Sequence, residues 1–187
     1  MSSAAPDHSR VLAQTRRWLE RAVIGLNLCP FAKSVYAKEQ VHYAVYSGVD
    51  EAEFLALLRV QLAELDAAEP QHRDTTLLIA PLLYAEFLDF NAMLPRAQRV
   101  LRKSGLEGVF QIAHFHPGYV FADAAADDMA HFTNRAPFAM LHLLREDAVS
   151  RAVAAYPQAA DIYDRNITTL RTLGLSGWQA LECGPLP

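Results

Sequence analysis

The sequence predicts an α/β fold, or a closely related α+β one. The expected form is a small three- to four-stranded, mostly parallel sheet with helices packed on it and helical segments at both ends. Three observations predict it. Short β-branched runs alternate with longer stretches of helical period, in the order strand–helix–strand–helix–strand. A continuous apolar run ended by proline, "TTLLIAP" over 75–81, reads as a strand covered on both faces. Hydrophobic residues are 52% of the 187, enough to fill one core without cross-links.

The elements follow in order. Leu12, Thr15, Leu19, Ala22, Val23 and Leu26 recur at helical spacing, so 9–27 is an amphipathic helix, interrupted by "GLNLCP". Pro30 suits the first turn of a new short helix, "FAKSVYAK", which sets Cys29 at or near its N-cap. "VHYAVYS" (41–47) is a strand ending at Gly48, and Asp50 caps a helix carrying Phe54, Leu57, Leu58, Leu62 and Leu65. After the strand at 75–81, a helix runs over about 84–103 and stops at Gly105. "GVFQIAHFHP" (108–117) is the third strand, stopped by Pro117 and Gly118. A long loop over 119–136 carries Asp123, Asp127 and Asp128; loops of this length inside a domain are often functional. Two helices, about 137–155 and 158–173, finish the chain, the second ended by Gly174, and "GWQALEC" adds a short edge strand. All of this is one domain, with 1–8 and 184–187 as loose tails.

Composition excludes several functions. Cys29 and Cys183 match no disulfide or zinc-finger spacing, which fits a reducing compartment. The formal net charge is −4 and the pI about 5.9, with no Lys/Arg cluster, so a nucleic-acid partner is not expected. "MSSAAPDHSR" has no apolar secretory segment, and the longest apolar run, "LLIAPLLYAEFL", is too short and too polar to span a bilayer. The expectation is a soluble cytoplasmic protein whose partner is a small anionic molecule, with homodimerisation compatible. No P-loop, G-x-G-x-x-G, G-x-S-x-G, C-x-x-C or H-E-x-x-H occurs.

The chemistry centres on "QIAHFHPGYVF", 111–121. Parallel strands would set Gly48, Pro81 and His116 along one edge, where open α/β sheets bind ligands. Strand alternation points His114 and His116 to one face, their Cα atoms about 6.6 Å apart. Such a pair can share a divalent metal, zinc or iron, with Asp128, His131 or His142 as third ligand, or can divide base and binding roles. The plainer alternative is an inert, hydrogen-bonded rim pair. In "TNRAPFAMLHLLRED" (133–147), Pro137 marks a helix start, Thr133 and Asn134 are caps, and Arg135 clamps an anion there. On that helix Arg135, His142 and Glu146 share a stripe, and Arg145 joins the substrate-binding set. His142 as a satisfied core residue is the competing reading. Cys29 is a nucleophile if the helix end lowers its pKa, and a small buried hydrophobe if burial raises it. Cys29–Pro30 is also a minimal haem-ligating pair, while Lys33, Asn27 and Asn166 read as structural polar residues.

"WLERAVIGLNLCPFAKSVY", "FHPGYVF", "TNRAPFAMLHLLRED" and "NITTLRTLG", spread over 18–174, together resemble the DUF1415 family of bacterial proteins. The resemblance implies a single bacterial cytoplasmic domain and carries no catalytic residue across. From the residues themselves two functions are expected. One is an enzyme acting on an anionic metabolite by acid–base or metal-assisted chemistry. Arg135, Asn134 and Arg145 would bind the substrate, with His114, His116, His142 and Cys29 as catalytic candidates. The other is a non-catalytic module that holds a small ligand, a metal or haem.

Overall fold

A computed structural model describes residues 7–156 and 158–184. Helix α1 (His8–Trp18) begins where the Asp7 carboxylate accepts from the Ser9 backbone N–H at 2.9 Å, satisfying one of the free donors of the first turn. The coil then widens into a π-helical stretch, Leu19–Ile24, and ends at Asn27 (φ 54°), a residue type that tolerates the left-handed region. The interruption expected at "GLNLCP" is therefore real. Helix α2 (Ala32–Ala37) follows, then β1 (Val41–Val45), α3 (Glu51–Ala67), β2 (Thr75–Ala80), α4 (Phe87–Lys103) and β3 (Phe110–Phe115). Asp50 caps α3 as expected, its carboxylate accepting from Glu53 N–H at 2.9 Å. Gly105 (φ 71°) closes α4.

Beyond β3 two expected elements change type. The stretch 137–155, read as one helix, divides into strand β4 (Ala139–Arg145) and helix α5 (Glu146–Ala155). β4 lies inside the sheet and is apolar on both faces, so "AMLHLL" satisfies a helical period as well as an alternating one. "GWQALEC", read as an edge strand, instead lies at the end of helix α6 (Ile162–Ala180), which resumes after a break at Gly174 (φ 66°). Trp178 packs edge-on against Phe132 there, ring centroids 4.9 Å apart. Of the residues read as loose tails, 1–6 and 185–187 lie outside the described residues, whereas Asp7 and His8 already belong to the α1 cap and helix.

The four strands run in the order β1-β2-β4-β3. β1 and β2 are parallel, and β4 is antiparallel to both β2 and β3. The sheet is thus mixed rather than mostly parallel. After the loop beyond β3 the chain returns beside its own strand, which forces an antiparallel pair. β1, β2 and β3 still point the same way, so the start of β4 shares an edge with their carboxyl ends.

Two apolar layers cover the sheet. On one face α3 and α4 pack through Phe54, Leu58, Phe90 and Met93 onto Leu78, Phe110, Leu141 and Leu143. Truncating one of these fully buried phenylalanines costs about 3–5 kcal/mol. The other face carries α1, α6 and the 3₁₀ turn Met129–Thr133 against Leu77, Ile79 and Met140. This second layer leaves a cleft open over part of the sheet. No helix among the described residues is long and apolar enough to cross a membrane.

Candidate functional site

Alternation sorts the histidines onto opposite faces. His114 lies on the α3/α4 face, 6.2 Å from the Phe90 ring, and His116 stacks on Phe90 at 5.4 Å. The pair therefore shares a face, as strand spacing predicts. His142 faces the other way, with Met140, so it cannot serve as third ligand to the pair.

His116 is fully buried and both its ring nitrogens are engaged. Nδ1 accepts from Gly118 N–H at 2.9 Å, so Nε2 bears the proton and donates to the Tyr84 carbonyl at 2.9 Å. A neutral imidazole locked this way ties the loop after β2 to the turn after β3, and burial lowers its pKa. It has no lone pair left for a metal or a proton.

His131 is spent in the same manner: Nδ1 accepts from Phe121 N–H at 3.1 Å and Nε2 donates to the Ala125 carbonyl at 2.8 Å. The loop 119–136 is thereby knitted together from within. Asp128, the third residue of the expected metal set, caps the 3₁₀ turn and pairs with Arg171 at 2.6 Å. The guanidinium holds its carboxyl down at about 2. Among the described residues no cluster of three or more His, Cys, Asp or Glu side chains suits a metal ion. The set His114, His116 and Asp128 is not assembled.

The arginines are also redirected. Pro137 leads into strand β4 rather than a helix, so Arg135 has no helix N-terminus beside it. Its Nε donates to the Tyr119 carbonyl at 3.1 Å, and its guanidinium lies 4.3 Å from the Phe132 ring centroid. Asn134 donates from Nδ2 to the His114 carbonyl at 3.3 Å, and its own carbonyl accepts from His116 N–H. Arg145 Nη2 donates to the carbonyls of Leu65, Ala68 and Arg73 and so caps the end of α3. The expected stripe of Arg135, His142 and Glu146 does not form, because no helix joins them.

At the strand edge expected to bind a ligand lies a small, mostly apolar pocket of about 250 Å³, lined by Pro81, Tyr84, Pro117 and Pro137 among others. A larger cleft, about 970 Å³, opens at the opposite end of the sheet, over the starts of β1–β3 and the end of β4. Its floor includes Thr75, Gln111, Phe115 and His142. Its walls come from the π-helical stretch (Leu19, Val23), from Cys29 through Lys38, and from α5 as far as Tyr156. π-Helical insertions recur at functional sites. A mostly apolar concavity of this volume with a few inward polar groups has the character of a small-molecule site.

His142 is the polar centre of that floor. The Thr75 hydroxyl spends its one proton on the Leu143 carbonyl at 2.6 Å. The 2.6 Å contact between Thr75 Oγ1 and His142 Nε2 must then be donated by the ring. Nδ1 is left as a bare acceptor, without a protein partner among the described residues. Burial pushes the pKa to about 4, so the ring is neutral near pH 7. Cys29 lines the same cleft as a half-buried thiol whose pKa burial raises, which weakens it as a nucleophile. Thr75, Tyr36 and Tyr156, also in the lining, escaped the sequence reading. The signal for Thr75 was a polar residue opening an otherwise apolar strand; Tyr156 left none.

A family model described as a protein of unknown function, DUF1415, matches residues 10–180. No curated protein and no solved structure matches the chain.

Proposed function

We propose that this chain, which belongs to the DUF1415 family, binds a small, largely apolar molecule in the cleft beneath α2 and α5. The observation that carries the reading is His142: a neutral imidazole on the cleft floor, held by Thr75, with Nδ1 left over for a ligand donor. Nδ1 of this half-buried ring is an acceptor that a ligand N–H or O–H in the cleft can use.

The low pKa of His142 supports holding a ligand over turning it over. A general base works best with a pKa near the working pH, and about 4 makes His142 a weak base but a sound hydrogen-bond acceptor. The binding module is therefore favoured over the enzyme. An enzyme acting on an anionic metabolite would draw on this cleft and not on Arg135, whose surroundings are backbone carbonyl and aromatic ring.

The test uses Trp18, which lines the cleft, as reporter in a Trp178→Phe background. Titration with 4-phenylbutanol is expected to change Trp18 emission saturably. Ala148→Phe, which projects a ring into the cleft from α5, is expected to abolish the change while the protein still melts cooperatively. Unaltered binding by the filled variant refutes the assignment to this cleft.

A further inference from the structure

We infer that the cleft reads an acceptor oxygen of its ligand, a carboxylate or an acyl carbonyl, through the hydroxyl of Tyr156 with Arg165 behind it; this deepens the cleft reading and rests on it. Tyr156 stands where α5 ends and lines the cleft. Its phenol oxygen accepts from Arg165 Nη1 at 2.6 Å, and the guanidinium carbon lies 5.5 Å from its ring centroid. The phenol proton has no acceptor among the described residues. A cation on the oxygen's lone pair draws electron density away, making that O–H a stronger donor toward an anionic or carbonyl oxygen.

Arg165 does not line the cleft, so its charge acts on a ligand only through the Tyr156 hydroxyl. No carboxylate lies within ion-pair distance among the described residues, and its Nη2 is buried with no partner. A part-buried guanidinium so placed is expected to have an anion nearby. Of the other charged residues lining the cleft, Arg151 pairs with Asp147 at 2.6 Å and Arg145 caps α3, which leaves Lys38 beside the carboxylate of Asp74. Two contacts position the donor. Phe31 meets the Tyr156 ring edge-on at 6.0 Å, and Asn166, next to Arg165, donates to the Leu28 carbonyl at 2.8 Å. The helix carrying Arg165 is thus tied to the segment that walls the cleft.

The ligand class follows as an apolar body bearing a carboxylate or acyl oxygen. Isothermal titration of the full chain with 4-phenylbutyrate, 4-phenylbutanol and 4-phenylbutylamine tests it. The carboxylate is expected to bind about tenfold more tightly than the alcohol or the amine, the scale of one charge-assisted hydrogen bond. In Tyr156→Phe, which removes one oxygen, that advantage is expected to vanish while alcohol binding is unchanged. Arg165→Met is expected to behave alike if it melts cooperatively; if it does not fold, Tyr156→Phe decides alone. Equal binding of the three probes, or a preference that survives Tyr156→Phe, overturns this inference and leaves the cleft reading standing. Binding of none of the three overturns both.

Discussion

His142 should make the fold acid-sensitive, and the size of the effect follows from its burial. In the unfolded chain the imidazole takes a proton as pH falls below about 6.5; in the fold it stays neutral until about 4. Between those values the unfolded state binds more protons, so stability falls with falling pH. The effect is absent above 6.5 and complete near 4, where the folded protein also protonates. A drop of that size corresponds to about 3 kcal/mol. His42, His114 and His116, whose pKa values burial also lowers, add losses of the same sign, so the wild-type slope alone does not isolate His142. His142→Gln does, because the amide can still donate to Thr75 but does not titrate. Urea unfolding followed by circular dichroism should be run from about pH 7.5 to about pH 4.5. The wild type is expected to lose about 2–3 kcal/mol more than the variant over that range. Parallel stability curves would refute the assignment of a buried, neutral His142.

Two further outcomes follow from the hydrogen-bond geometry. His116→Phe strands the Gly118 N–H and the Tyr84 carbonyl, at roughly 1–3 kcal/mol each, whereas His114→Phe, whose ring nitrogens make no hydrogen bond among the described residues, should cost under about 1 kcal/mol. Equal losses in denaturant unfolding would contradict the distinction between a structural His116 and an unengaged His114. Arg145→Met removes three carbonyl contacts at the end of α3 and should cost about 2–4 kcal/mol in denaturant unfolding. Lost 4-phenylbutanol binding at unchanged stability would instead return Arg145 to the ligand site.

Local signals sufficed wherever a residue's role depends on near neighbours. The Asp50 cap, the break at "GLNLCP", the buried strand "TTLLIAP" and the shared face of His114 and His116 were all legible, since each is settled within a few residues by backbone sterics, capping or strand period. Tertiary structure decided the rest. "AMLHLL" is apolar in both periods, and only its place between β2 and β3 makes it a strand. That placement moved Arg135 off a helix start and turned His142 away from His114. The cleft is wholly a tertiary object: Leu19, Cys29, Thr75, His142 and Tyr156 meet there from five separate segments. The sequence determined which side chains could carry chemistry, because that is covalent. Only packing decided which had their ring nitrogens satisfied by the backbone, as in His116, and which, as in His142, kept one without a protein partner among the described residues.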